Sequence, residues 1–157
     1  MKSEAISKAM SLIKIHEGFK PKPYLDTKGI LTIGYGRNLK VFPLSDEEKR
    51  SLDLNHQEYS EDLASDWLAS RVEELYGNLS KFGWFNHLDS QRQAVLLDMA
   101  YNLGIKKLIG FKKMIQALKV HDYKLAAKEM RDSDWFIQVK HRALRLSGLM
   151  EKEDRDA

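Results

Sequence analysis

Apolar residues recur at Ile6, Ala9, Met10 and Ile13, three and four positions apart, and this spacing predicts an amphipathic helix from about Ser3 to Glu17. Gly18 ends it, and Pro21 and Pro23 keep it from restarting. Between Tyr24 and Tyr35 the pattern changes to two short β-like runs, Tyr24-Leu25-Asp26 and Ile30-Leu31-Thr32-Ile33-Gly34-Tyr35, around Thr27-Lys28-Gly29, which predicts a small hairpin. Residues 37–59 are polar and interrupted by Pro43, so a loop with one helical turn over Ser45–Leu52 is expected. From the N-cap Ser60 to about Ser80, Leu63, Trp67, Val72, Leu75 and Leu79 mark a long amphipathic helix. Four more helices are expected beyond it: Asp89–Leu103 stopped by Gly104, Phe111–Val120, Asp122–Arg131 and Val139–Lys152. Asp89 and Asp122 serve as N-caps in that reading.

These elements predict a mostly helical α+β fold. A hairpin lobe (about 15–59) is joined by the connecting helix (60–80) to a helical lobe (81–157 together with the helix 3–14), within a single domain of 157 residues. Clefts between such lobes are where ligands bind.

Composition narrows the class. A chain 43% hydrophobic and 31% charged folds as an ordinary globular domain. No stretch approaches the roughly 18 consecutive apolar residues of a membrane span, and the charged first twenty residues do not resemble a secretory signal. The absence of cysteine removes disulfides, thiolate chemistry and Cys-ligated zinc. The net charge of +3 is a mild bias toward anionic surfaces.

Several motifs fail on inspection. His16-Glu17 does not begin an HExxH zinc motif, because Lys20 stands at its last position. His56, His87, His121 and His141 are too scattered for a ligand pair and read as surface or capping residues, so no metal is expected. Gly34-Tyr35-Gly36 has Leu39 where a dinucleotide fingerprint needs its third glycine. Trp67, Trp84 and Trp135 read as core aromatics.

What remains is residues 16–36. Glu17 continues the apolar stripe Ile6, Met10, Ile13, so its carboxyl is expected to be partly desolvated, as suits a general acid. Asp26 and Thr32, placed symmetrically about Gly29, are expected to lie opposite one another and to hold a water between carboxylate and hydroxyl. Read singly, Glu17 is equally a residue of a fraying helix end, Asp26 an Asx-type turn residue and Thr32 an ordinary β-branched strand residue. Read together, they fit a glycosidase of the inverting type, with one carboxyl for the leaving oxygen and one carboxylate beside a water.

The same residues resemble the phage-type lysozymes, the glycoside hydrolases of tailed bacteriophages. That family's Glu-Gly, Tyr-x-Asp-x-x-Gly and Thr-Ile-Gly-x-Gly signature reads here as Glu17-Gly18, Tyr24-Leu25-Asp26-Thr27-Lys28-Gly29 and Thr32-Ile33-Gly34-Tyr35-Gly36. Weaker similarity continues in Ala100–Gly104, Gly110-Phe111, Trp135–Gln138 and Arg142-Ala143. The resemblance implies a lysozyme-like fold and hydrolysis of the β-1,4 bond between N-acetylmuramic acid and N-acetylglucosamine in peptidoglycan. Glu17 would be the acid, with Asp26 and Thr32 organising water. Asn102 and Arg142 are carried over as substrate-binding residues, Arg142 through a pairing with the catalytic glutamate. Arg37 stands where the family usually has His, and Val139-Lys140 replaces a Pro-containing turn. Residues 40–59 match no family pattern.

The resemblance further implies a monomer without cofactors. Such a protein accumulates in the host cytoplasm without a signal peptide and depends on a separate pore-forming protein, a holin, to reach the wall from the periplasmic side. A non-catalytic peptidoglycan-binding protein of the same fold is the alternative. A nucleic-acid-binding role is disfavoured, because acids such as Glu129, Asp132 and Asp134 interrupt the basic pairs Lys106-Lys107 and Lys112-Lys113.

Overall fold

The computed structural model describes residues 2–52 and 57–153; His56, read above as a surface or capping histidine, lies outside them. Helix α1 (Lys2–Glu17) buries Ala5, Ile6, Ala9 and Ile13, the stripe expected from spacing. It packs mainly on α5 (Ser90–Leu103) and also on α3 (Glu61–Leu79). Every residue of α5 from Arg92 to Ala100 is buried, which makes it the central column of the molecule. On it also packs α10 (His141–Glu151), which packs on α8 (Tyr123–Arg131), which in turn packs on α7 (Lys112–Lys119); α4 (Gly83–Asn86), α6 (Ile105–Ile109) and α9 (Asp134–Val139) are short helices between the longer ones. One continuous apolar core runs from Ala5 through Leu75 and Leu97 to Met150.

The helix ends follow local chemistry. Ser60, Asp89 and Asp122 each accept a backbone N–H three residues ahead. Gly104, at φ +88, closes α5. Three short helices were not signalled by periodicity: α4, α6 and α9 are four to six residues long, too short for an apolar stripe to declare itself. The last helix begins at His141 and not at Val139. Lys140, at φ +32, donates its N–H to Phe136 O at 3.0 Å, ending α9 and breaking the path into α10.

The sheet carries a correction to the two-stranded hairpin. It has three antiparallel strands in the order β1 (Lys20–Leu25), β2 (Leu31–Gly34) and β3 (Arg37–Asn38). Pro21 and Pro23 lie in edge strand β1, where its register is irregular between Lys20 and Tyr24; an edge or a bulge tolerates a missing N–H. Beyond the sheet, α2 (Asp46–Arg50) supplies the single helical turn expected near Ser45, with Ser45 and Glu48 forming a reciprocal capping box.

Candidate active site

Glu17 is the last residue of α1, and Gly18 follows at φ +69 with its N–H returned to Lys14 O at 3.0 Å. The chain therefore leaves the helix abruptly, and the Glu17 side chain, 21% exposed, stays at the mouth of the core. Arg142 from α10 donates Nη1–H to Glu17 Oε2 at 2.8 Å and Nε–H to Asp98 Oδ1 at 2.8 Å. Asp98, on α5, is fully buried, and its second oxygen lies 2.8 Å from His16 Nδ1. Burial works against the Arg142 charge, but the carboxylates of Asp98 and Glu17 outweigh it and hold the guanidinium above its ordinary pKa. The pairing of Arg142 with Glu17 expected from the resemblance is present. The guanidinium, spent on two carboxylates and 10% exposed, faces the acid and not open solvent.

The hairpin corrects one expectation. Thr32 pairs with Tyr24 and Leu25 with Leu31, so the turn is centred on Lys28 and Asp26 falls opposite Ile30. Asp26 and Thr32 are thus diagonal neighbours on one face, not a direct pair. Asp26 does form an Asx turn: Oδ1 accepts from Lys28 N at 2.8 Å and Ile30 N at 2.9 Å. Among the described residues Oδ2 has no hydrogen-bond partner. Thr32, 4% exposed, donates its hydroxyl proton to Ile30 O at 2.8 Å, which leaves its oxygen as an acceptor. Burial raises the Tyr24 phenol pKa, and the negative charges of Glu17 and Asp26 add to it.

A cavity of about 260 Å³ opens beside Glu17, between the sheet and α3. Gly36 joins the two, since it lines the cavity and lies against the Glu17 carboxyl. Tyr35, Tyr101, Trp67 and Phe42 provide aromatic wall, and Asn38, Ser70 and Arg71 polar groups. Tyr101 donates its hydroxyl to Tyr35 O, pinning α5 to the sheet. Arg37 fixes the neighbouring segment: Nε bonds Phe42 O at 3.0 Å, Nη2 bonds Pro43 O at 2.9 Å, and both Nη atoms reach Glu48 at 2.5 and 2.9 Å. Its guanidinium also stands 5.0 Å over the Trp67 ring. Asn102 is exposed at the end of α5, and its Oδ1 accepts from Trp135 Nε1 at 2.7 Å, leaving the amide N–H groups as its outward chemistry.

Residues 14–156 match the family described as phage lysozyme. The chain belongs to the phage lysozyme family. Two relatives from Dictyostelium discoideum, named probable T4-type lysozyme 1 and 2, are each 26% identical over 93% of this chain and 95% of their own. The pre-baseplate central spike protein Gp5 of Enterobacteria phage T4 is 27% identical over 87% of this chain, which spans 26% of that larger protein. Membership supports a glycoside hydrolase. Of the signature residues, Glu17 lies at a helix end with Gly36 against it, and Asp26 and Thr32 lie on one hairpin face.

Sequence reasoning missed His16 and Asp98, which only the packing of α1 on α5 brings together. The faint signal was a charged residue, Asp98, in the middle of the apolar run Ala94–Ala100. It also left out Trp67, which lines the cavity while belonging to the apolar stripe of α3. His87, His121 and His141 are exposed, apart from the site. Among the described residues no cluster of three or more metal-ligating side chains occurs, and no helix is long and apolar enough to cross a membrane.

Proposed function

We propose that this protein is a muramidase, hydrolysing the β-1,4 bond between N-acetylmuramic acid and N-acetylglucosamine of peptidoglycan with inversion at the anomeric carbon. The observation that carries this reading is Glu17, held by Arg142 at the end of α1 and packed against Gly36 on the cavity wall, beside a hairpin that presents Asp26 and Thr32 on one face. Glu17 gives a proton to the glycosidic oxygen as its bond to C1 breaks. A water attacks C1 from the other face and loses its proton to Asp26 Oδ2, while the Thr32 oxygen accepts the water's second hydrogen. The Asx turn spends only Oδ1, so Asp26 is oriented and still has an oxygen for the water. Asn102, oriented by Trp135, binds substrate with its amide N–H groups.

The experiment compares wild type with Glu17→Gln on purified peptidoglycan, following turbidity, new muramic acid reducing ends and the anomer first formed. Release of reducing ends in the α configuration, abolished by the substitution, supports the reading. A retained β configuration refutes inversion. Wall binding by wild type without release of fragments replaces the enzyme with a peptidoglycan-binding protein.

We further propose that its biological role is lysis of a bacterial host, with access to the wall through a pore made by another protein. Expression inside bacteria should then lyse cells only when a pore-forming protein is co-expressed; lysis without one removes that dependence.

A further inference from the structure

The buried cluster behind Glu17 contains a competition. Arg142 has two donors on one edge of its guanidinium, Nε and Nη2, and a carboxylate normally takes both in a two-point pair. Asp98 is fully buried beside that edge, yet only its Oδ1 bonds Arg142, through Nε at 2.8 Å. Nη2 is buried and has no partner among the described residues. Asp98 Oδ2 is turned to His16 Nδ1 at 2.8 Å, which orients the carboxylate so that only Oδ1 meets the guanidinium. An unpartnered N–H on a buried cation is costly and persists only when something else fixes the arrangement.

We propose that His16 is a positioning residue for the acid: by holding Oδ2 of Asp98 it restricts the Arg142–Asp98 contact to the Nε bond and so sets the guanidinium at the angle that brings Nη1 onto Glu17. The role rests on Glu17 being the acid of the proposed muramidase. His16 and Glu17 are adjacent in α1, so the one turn of helix that sets the acid also sets the group that controls its counter-charge. With His16 in place, one cation is shared by two carboxylates, Glu17 at 21% and Asp98 at 0% exposure. Without the His16 donor, Oδ2 turns to Nη2 and rotates the guanidinium into a two-point pair with Asp98, and that rotation draws Nη1 off Glu17. Among the described residues, the phenols of Tyr24 from β1 and Tyr101 from α5 also feel the Glu17 charge, both pushed toward the neutral form by burial first and by that charge next.

The test uses His16→Ala and the volume-preserving His16→Leu, which cannot donate, and His16→Asn, whose Nδ2–H takes the place of Nδ1–H. Asp98→Asn removes the competing charge while keeping its shape. Titration of the Glu17 carboxyl by carbon-13 NMR needs no turnover and is read beside the pH profile of kcat on a soluble glycan. The non-donating variants should raise the Glu17 midpoint above wild type by about one pH unit, because the carboxyl loses a neighbouring cation. His16→Asn should return it to wild type, and Asp98→Asn should lower it by about one unit. The alkaline limb of kcat should follow in each case, with KM unchanged because none of these side chains touches glycan. A structural role alone would lower the melting temperature without this opposed pair of shifts. Equal midpoints in wild type and the folded non-donating variant, or failure of His16→Asn to restore the value, overturns the proposal. Variant shifts in these directions from a wild type that cuts no glycan refute the muramidase reading and leave the positioning result standing.

Discussion

The α-carbon of Gly36 lies so close to Glu17 that a β-carbon built on it would stand 2.5 Å from Oε1 and 2.6 Å from the carboxyl carbon. Gly36 also sits at φ +76, which an L side chain adopts only with strain. Because Arg142 holds the other carboxyl oxygen, Glu17 cannot retreat freely from an added methyl. Gly36→Ala should therefore displace the acid and lower kcat on peptidoglycan about 100-fold, with a stability loss of about 1–2 kcal/mol. Turbidity rates and thermal unfolding measure the two, and an unchanged rate would refute the pinned-carboxyl account.

Acid should release the segment that Arg37 fixes. The hydrogen bonds from Arg37 pull the Glu48 carboxyl from its ordinary 4.5 down to about 2; burial opposes this and the Ser45 N–H assists it. A carboxyl depressed in the folded state contributes stability above its unfolded value and loses it as pH falls through the folded one. The window thus runs from about 4.5 down to about 2. After screening by solvent, the pair is worth about 1–2 kcal/mol. Urea unfolding of wild type and Glu48→Gln should show a gap of that size at neutral pH which closes toward pH 2. A gap that persists in acid would assign it to packing.

Removing the Tyr101 hydroxyl should loosen the junction of α5 and the sheet. Its phenol is pushed well above the ordinary range, by burial first and by the Glu17 charge next, so it remains a donor to Tyr35 O. Tyr101→Phe should cost about 1–3 kcal/mol, because the Tyr35 carbonyl loses its partner. A melting curve reads this directly.

Asn102 offers a binding test separable from chemistry. Asn102→Ala should raise KM for soluble glycan roughly fivefold, the value of one lost hydrogen bond, with kcat nearly unchanged. Trp135→Phe, which deletes the donor to Asn102 Oδ1, should move KM in the same direction by less. A fall in kcat with constant KM would transfer Asn102 to the chemical step.

Local chemistry was legible before any coordinates. The α1 stripe, the caps Ser60, Asp89 and Asp122, and the stop at Gly104 depend on residues within a few positions of each other, and all appear. The motif around Glu17, Asp26 and Thr32 was readable for the same reason, since one helix end and one tight turn span it. The register was misjudged by two residues, a shift that keeps each side chain on its face, because the turn centre depends on where the Asp26 carboxylate finds its N–H partners, which alternation does not encode.

The sequence by itself determined where each short piece of chain turns, caps and presents an apolar face, and with that the family and its candidate acid. Tertiary structure decided what surrounds the acid, and of the contacts there only the Arg142–Glu17 pair was expected, from family resemblance and not from spacing. His16 meets Asp98 across 82 positions, Arg142 meets Asp98 across 44, and Arg142 meets Glu17 across 125. Those distances close because α1, α5 and α10 bury apolar faces against one another, and no periodicity along the chain records which polar atoms that burial brings within hydrogen-bond reach.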